Sequence, residues 1–127
     1  MTTILHITSD AEWAIALRDG VYVPPSLASE GFIHCSTQGQ AVATANAYFR
    51  GAPNLVLLAI DEAAVTATVK HEPPISAARA GSTELFPHIY GPLNVDAVVA
   101  VVAFPPDADG SFTLPDNMAS PTARRPA

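Results

Sequence analysis

The chain has 127 residues, a formal net charge of −6 and a single cysteine. Its length suits one domain with a hydrophobic core, and 49% hydrophobic against 14% charged residues indicate a globular body. Because the six Lys and Arg residues are mostly isolated, we expect no extended surface for nucleic acid or an anionic membrane.

The cellular setting is predicted from cysteine usage and from apolar runs. A single cysteine excludes an intrachain disulfide framework and suits a reducing compartment. No secretory signal is expected, because Asp10 and Glu12 come before any apolar stretch. The longest apolar run, residues 97–104, is far shorter than the roughly 20 residues of a membrane helix. We therefore expect a soluble, cytoplasmic protein.

The N-terminal part predicts a strand followed by a capped helix. Residues 4–8 read as the strand, and residues 9–12 match the S-x-x-E capping box, in which the serine caps the helix. The helix is expected to run to Arg18. Trp13 and Leu17 lie four residues apart and are expected on its buried face.

Two short strands with a loop between them are predicted next. Residues 21–23 form the first of these strands, which Pro24 and Pro25 end. Residues 26–31 are expected to be a loop that leads into the second strand, residues 32–35.

A second helix and a central strand follow. Residues 37–40 match another capping box and open a helix that ends at Gly51. Its apolar stripe consists of Val42, Ala45 and Phe49. Residues 55–60 are a continuous apolar run, which is typical of a central strand covered on both faces. Residues 61–65 predict one helical turn.

The remainder predicts more strands and then a tail. Residues 68–72 are expected to be extended, 75–84 a loop of small residues, and 97–104 the last clear strand. Several short strands with two main helices near the N-terminus predict an α+β domain over residues 1–105. Residues 106–127 are rich in proline and predict a flexible C-terminal tail.

Three segments carry a histidine followed two residues later by a hydroxyl side chain. If each segment is extended, its side chains alternate between two faces, so histidine and hydroxyl share a face. The pairs are His6 with Thr8, His34 with Ser36, and His88 with Tyr90. Imidazoles and hydroxyls on one face can line a polar ligand pocket, and we predict that the three histidines converge on one cleft. The plainer alternative is a set of half-buried histidines bonded to backbone carbonyls.

The residue pattern gives less support to a reactive cysteine, a zinc site, a catalytic carboxylate or a known sequence motif. Cys35 follows His34 on the strand and is expected to face the core, whereas a reactive thiolate needs an electropositive, partly exposed setting. A zinc site built from the three histidines is conceivable, but they lack close spacing. Asp61, Glu72 and Glu84 are typical of turn caps or solvated charges. Phosphate-binding and hydrolase motifs such as G-x-G-x-x-G and G-x-S-x-G do not occur.

Three segments resemble the bacterial family called domain of unknown function 952. They are Gly-Phe-Ile-His-Cys-Ser-Thr at 31–37, Leu-Val-Leu-Leu-Ala-Ile-Asp at 55–61 and Phe-Pro-His-Ile-Tyr-Gly-Pro at 86–92. The likeness covers residues 3–104 and leaves the proline-rich tail outside.

A more distant resemblance concerns the RNA 2′-phosphotransferase branch of the ADP-ribosyltransferase-like fold. That branch has an H-G-T strand, a V-H-L-S strand and a V-L-x-I-D strand, which residues 6–8, 33–36 and 55–61 resemble in this order. The resemblance implies a split β-sheet of the ADP-ribosyltransferase-like type, with NAD in its central cleft. It also implies an ADP-ribosyltransferase-like or phosphotransferase-like enzyme.

This resemblance gives each candidate residue an expected role. On it, His6 contacts the nicotinamide ribose, His34 and Ser36 lie beside it, and Phe86 or Tyr90 stacks on a flat ring. The candidate catalytic residues are His34, His88 and Ser36; the candidate cofactor contacts are His6, Thr8, Thr37, Phe86 and Tyr90. The expected partner is a small molecule such as a nucleotide, and the sequence indicates no oligomeric state.

Two other functions stay open. Ile7 replaces the glycine of H-G-T, and the transferases' glutamate has no certain counterpart, which together favour a non-catalytic module that binds a small ligand. A cysteine- or metal-dependent hydrolase is the second alternative.

Overall fold

The computed structural model describes residues 2–73 and 84–115. Its strands are β1 (Thr3–Ser9), β2 (Val21–Tyr22), β3 (Ile33–His34), β4 (Leu55–Asp61), β5 (Thr68–Glu72), β6 (Phe86–Tyr90), β7 (Leu93–Asn94) and β8 (Val98–Ala103). Its α-helices are α1 (Asp10–Asp19), α2 (Pro25–Ser29) and α3 (Ala41–Tyr48). The predicted turn after β4 is a 3₁₀ turn, Glu62–Ala64. The predicted α+β class is confirmed.

The strands pair in an antiparallel manner throughout the described residues. They form two three-stranded sheets, ordered β1-β4-β8 and β3-β6-β5, and the two-stranded pair β2-β7. The larger sheets are joined at one bridge, where the backbone N–H groups of Leu5 and Ser36 each donate to the other's carbonyl oxygen, at 2.7 and 2.8 Å. This junction places β1 beside the end of β3, so the segments that carry His6 and His34 are neighbours.

β4 is the central strand of its sheet, as its continuous apolar sequence predicts. Leu58 packs in one core layer with Trp13, while Leu57 faces a second layer with Phe104. Burial of each such side chain stabilises the fold by roughly 1.5–3 kcal/mol. Both faces of β4 are therefore covered by core side chains, and β1 pairs with this central strand.

The first helix begins as predicted but buries a different residue pair. The Ser9 hydroxyl accepts a hydrogen bond from the backbone N–H of Glu12 at 3.1 Å, which is the N-cap contact of the capping box. Trp13 is buried, but Leu17 is 59% exposed, and Ala16 takes the inner position instead. The prediction for Leu17 is wrong because the helix contacts the core along a narrow i, i+3 stripe.

The segment predicted as a loop at residues 26–31 contains the short helix α2. Pro25 occupies its first turn, where proline lacks only an N–H that would have no helical partner. Gly31 has a φ of 89° and ends the helix by donating its N–H to carbonyl oxygens of the last turn. The helix thus turns the chain directly into β3.

The third helix starts later than the second capping box predicts. The backbone N–H of Thr37 donates to the side-chain oxygen of Gln40 at 2.9 Å, so half of the capping box forms. Residues 38–40 are nevertheless a turn, and the helix begins at Ala41. Ala41 and Ala45 are its buried residues, with Phe49 packed against the same core layer.

The chain after β8 packs where a flexible tail was predicted. Phe112 is 2% exposed, and its ring centroid lies 4.8 Å from that of Phe104. The side-chain oxygen of Asn46 accepts the backbone N–H of Phe112 at 2.8 Å, which holds this segment against α3. The prediction is therefore wrong at Phe112, since the core extends to it. The rest of the predicted tail, 116–127, lies outside the described residues, as does most of the predicted loop at 75–84.

Among the described residues, no helix has both the length and the apolar character needed to cross a membrane.

Candidate functional site

A cavity of about 750 Å³ opens beside the junction of the two larger sheets. Its wall is built from β1, the start of α1, β2, α2, the end of β3, α3, the start of β4 and β6. This volume lies within the roughly 300–1,000 Å³ of typical small-molecule sites. The cavity is therefore large enough for a ligand of nucleoside or nucleotide size.

Most of the predicted site residues meet at this cavity. Six of them line it: His6, Thr8, His34, Ser36, Phe86 and His88. The rings of His34 and His88 have centroids 5.6 Å apart, and His6 contacts the backbone of His34. The structure thus brings the three histidines together, while their roles in binding or catalysis stay predictions.

Thr37 and Tyr90 do not line the cavity. The Thr37 backbone is tied to Gln40, and the Tyr90 hydroxyl donates to the Glu72 carboxylate at 2.6 Å. This hydrogen bond raises the pKa of Tyr90. Lys70 extends its ammonium group over the Tyr90 ring, 4.8 Å from the centroid. Tyr90 therefore supports a carboxylate behind the cavity.

Glu72 is also the partner of His88. The Nδ1–H group of His88 donates to Oε1 of Glu72 at 2.8 Å, since a carboxylate can only accept. The hydrogen bonds from Tyr90 and His88, in that order, lower the pKa of Glu72. With Nδ1 protonated, the neutral ring carries its lone pair on Nε2, and no described residue bonds to that atom. His88 is 3% exposed and is one of the residues that line the cavity, and Nε2 is the ring nitrogen that keeps bonding capacity for a ligand.

Phe32 fixes the orientation of two of the histidines. Its ring stacks on His88 at a centroid distance of 4.1 Å and an interplanar angle of 24°. It also lies 4.6 Å from the His34 ring and 5.3 Å from that of Tyr90. Stacked rings of this kind add about 0.5–1.5 kcal/mol each beyond burial. The predicted common face of Phe32 and His34 thus forms a packed aromatic layer.

His34 is the exposed histidine of the cavity. Its side chain is 45% exposed, and Nε2 lies 2.9 Å from Oε1 of Glu30. Glu30 lines the cavity as well and follows directly after α2. The site therefore contains two imidazole–carboxylate pairs, one buried and one open.

His6 lies deeper and uses both of its ring nitrogens within the protein. Nδ1–H donates to the His34 carbonyl oxygen at 2.6 Å, and Nε2 lies 2.8 Å from the Tyr22 hydroxyl. That hydroxyl is also 2.9 Å from the Thr8 hydroxyl. Burial lowers the pKa of His6 to about 4, an effect that the His34 carbonyl partly opposes. His6 is thus neutral at pH 7 and holds β1, β2 and β3 together.

A zinc site shared by the three histidines does not fit this arrangement. Both nitrogens of His6 are engaged by the protein, so this ring has no lone pair free for a metal. Within the described ranges, no group of three or more His, Cys, Asp or Glu side chains could hold a metal ion.

Cys35 packs in the core, as strand alternation predicts, but it is also one of the residues that line the cavity. The residue is 4% exposed, and burial raises the pKa of its thiol. Its neighbour Ser36 is also buried, with its hydroxyl 3.4 Å from that of Thr44. The thiol therefore lacks the electropositive, partly exposed setting of a reactive thiolate.

Comparison with known proteins gives the family. Residues 7–101 match the family model described as Protein of unknown function (DUF952). The chain belongs to this family. A search of curated proteins found no match.

Two solved structures of a Caulobacter crescentus protein, CC0527, are similar to this DUF952 chain. The crystal structure shares 37% sequence identity with a TM-score of 0.81, over 93% of this chain and 99% of that one. The solution NMR structure shares 38% identity with a TM-score of 0.72, over 94% and 98% of the two chains. The family match spans His34, Glu72 and His88, but its description names no activity.

Sequence reasoning missed several residues of the cavity wall. Tyr22 lies on a two-residue strand beside prolines, where no periodicity marks it. Glu30 precedes His34 by four residues. At this spacing the two side chains meet only because the chain changes direction after α2. Glu72 lies behind the wall, and its contact with His88 depends on how β5 and β6 pair. These residues come from separate elements, so only the fold shows that they meet.

Proposed function

We propose that this DUF952 protein is a group-transfer enzyme that acts on a small nucleoside- or nucleotide-like ligand. The ligand occupies the histidine-lined cavity, and His88 acts as its general acid or base. One observation carries the proposal: His88 lines a cavity of ligand size, and its Nδ1 is held by the Glu72 carboxylate while its Nε2 has no hydrogen-bond partner among the described residues.

A carboxylate on one nitrogen of an imidazole has two chemical effects. It fixes the tautomer and orientation of the ring, and it stabilises the imidazolium that forms when the other nitrogen takes a proton. Positioned proton transfer of this kind contributes roughly 10²–10⁴-fold to a rate. Phe32 stacks against His88 and limits its ring rotation, so the pair is preorganised.

The rest of the wall favours a ligand with a flat ring and hydroxyl groups. Tyr48, Phe49 and Phe86 supply aromatic surface on which a ring can pack. The carboxylate of Glu30 and the ring of His34 supply polar atoms that can bond to sugar hydroxyls. This combination suits a nucleoside unit better than a lipid or a peptide.

The resemblance to the ADP-ribosyltransferase-like fold supports transfer at a ribose, with NAD as one candidate substrate. Its cleft lies between separating strands of a split sheet, and here the cavity opens beside the junction of Leu5 and Ser36. In such a transfer the bond between ribose C1′ and the leaving base breaks through an oxocarbenium-like centre, which a nearby carboxylate stabilises. C1′ then bonds to the oxygen of an acceptor, which is water in the absence of another, and the proton of that acceptor passes to His88. Glu30 at the cavity and Glu72 behind His88 are the candidates for that carboxylate.

A non-catalytic binding module is the second candidate. Ile7 lines the cavity at the position where the resembling transferases have glycine, and a side chain at this position would obstruct close approach of a cofactor to the backbone. His6 is also committed to contacts within the protein. Both observations favour a cavity that binds a ligand without the transferase chemistry.

The experiment that tests the proposal measures binding and turnover with defined probes. NAD, nicotinamide mononucleotide and nicotinamide riboside are screened by thermal shift, and release of nicotinamide is followed by chromatography. We expect at least one probe to bind and be cleaved, and His88→Asn to keep binding but lose turnover by roughly 10²–10⁴-fold.

The matched control is His71→Asn. His71 also pairs with a glutamate, Glu62, at 3.1 Å, but it lies outside the cavity, so this variant should behave as wild type. A probe that binds without being cleaved by wild type would favour the binding module. Wild-type turnover by His88→Asn would exclude His88 as the proton-transfer group.

A further inference from the structure

Apart from the histidines, the charged residues that line the cavity in the described part of the chain are acidic. Glu12 and Glu30 are the lining carboxylates, and no Lys or Arg of the described residues lines the cavity. This is unusual for a protein that would hold a phosphorylated ligand, because phosphates are generally met by Arg, Lys or a metal ion.

The cations of the described residues are engaged elsewhere. Arg18 pairs with Asp19, Arg50 donates to the Asp109 carbonyl, and Lys70 lies over Tyr90. The other three, Arg79, Arg124 and Arg125, lie outside the described residues. No described cation is therefore positioned to neutralise a phosphate in the cavity.

The helix end at the cavity does not offer an anion site either. A free helix N-terminus attracts phosphate through its exposed N–H groups and its dipole. At the start of α1, however, the N–H of Glu12 is already bonded to the Ser9 hydroxyl, and Glu12 is one of the residues that line the cavity. Its negative charge opposes an incoming anion at this position.

The histidines do not change the acidic character of the cavity. His34 and His88 each contact a carboxylate, so a positive charge on either ring is compensated within the protein. His6 is neutral at pH 7 because burial lowers its pKa to about 4. A phosphate moved from water into this cavity would lose hydration without gaining a counter-charge from the described residues, which is unfavourable.

From these charges we infer that the cavity takes a nucleoside, neutral or cationic, and excludes the same nucleoside once it carries a 5′-phosphate. This inference rests on the proposed function and specifies its substrate class. A cationic ring such as that of nicotinamide riboside is favoured further, since Glu12 and Glu30 attract it.

Matched ligand pairs test the inference by calorimetric titration of the full chain. The pairs are nicotinamide riboside with nicotinamide mononucleotide, and adenosine with adenosine 5′-monophosphate. We expect each nucleoside to bind more tightly than its monophosphate, by roughly tenfold or more. The difference should shrink at high salt, because salt screens the repulsion between exposed charges.

Charge-neutral variants test whether the lining carboxylates cause the selection. Glu12→Gln and Glu30→Gln should each reduce the difference in affinity between a nucleoside and its monophosphate. The control is Glu62→Gln, which removes a carboxylate that pairs with His71 and does not line the cavity, and this variant should leave the difference in affinity unchanged.

The outcomes separate the inference from the proposed function. Tighter binding of the monophosphates would overturn the inference while leaving a nucleotide-binding function intact. Failure of all four probes to bind would overturn both. If the Glu12 and Glu30 variants leave this difference in affinity unchanged, the lining carboxylates are not its cause.

Discussion

Thr8, Tyr22 and His6 form a hydrogen-bonded chain that ends on the carbonyl oxygen of His34. A tyrosine hydroxyl has one hydrogen, so it donates to one neighbour and accepts from the other. With His6 neutral and Nδ1 protonated, the Tyr22 hydroxyl donates to Nε2 and accepts from Thr8. The chain therefore connects β1, β2 and β3 most favourably when His6 carries no charge.

The first prediction concerns the pH dependence that His6 gives to stability. Its pKa falls from 6.5 to about 4 on folding, mainly through burial, so the unfolded chain binds more protons between these pH values. The free energy of unfolding should therefore fall as pH drops from 6.5 to 4, by on the order of 2–3 kcal/mol from this group. Denaturant unfolding at several pH values measures this slope.

Two variants test whether His6 causes this dependence of the unfolding free energy on pH. His6→Asn removes the titrating group, so its unfolding free energy should vary less across this pH range, whatever its absolute stability. His71→Asn removes an exposed histidine and should keep the wild-type slope. Equal slopes in wild type and His6→Asn would contradict the assignment.

The second prediction concerns Cys35, which is 4% exposed and packs in the core. Cys35→Ser buries a hydroxyl in place of a thiol, and we expect a loss of roughly 1–3 kcal/mol in unfolding free energy. Affinity for the nucleoside probes should change little. A stable Cys35→Ser protein that no longer binds them would instead support a cysteine-based site.

At the scale of elements, the face to which a side chain points could be predicted from strand alternation. Contacts between strands could not, because they depend on how the strands pair. Alternation is local, so the shared face of Phe32 and His34 follows from the sequence. Pairing is not local: β5 and β6 align Lys70 with His88, which brings the side chain of Glu72 diagonally onto the imidazole. No short-range pattern specifies that register, and the carboxylate of the site was therefore not recognised.

The segment after β8 shows how composition can mislead about one residue. Its prolines and small polar residues are typical of a disordered tail, yet Phe112 is buried against Phe104 and bonded to Asn46. A single aromatic side chain within a polar segment has no periodicity to reveal it. Its burial depends on the core layer that Phe104 shares with β4, which only the folded chain contains.

The third prediction follows from this contact. Truncation after Phe104 removes Phe112 and should lower the free energy of unfolding by about 3–5 kcal/mol, as for loss of a buried phenylalanine. Phe112→Ala should have a similar effect. Truncation after Pro115 keeps the contact and serves as the control, with stability expected near that of the full chain. Equal stability of the two truncated chains would contradict this role of Phe112.

At the scale of the whole molecule, the two larger sheets meet at one bridge and leave a cavity beside it. The histidine-bearing strands could be predicted to share this region because each carries its own polar face. The other walls, including Tyr22 and Glu30, could not, since they depend on short elements whose positions tertiary packing decides.

The central claim is that a ligand meets His88 and His34 in this cavity, and imidazole NMR spectra test it most directly. The chain has four histidines, of which His6, His34 and His88 line the cavity and His71 does not, so His71 is an internal control. On titration with nicotinamide riboside, we expect the ring signals of His34 and His88 to shift and that of His71 to stay in place. Binding that leaves the His88 signal unchanged, or that moves only His71, would contradict the claim.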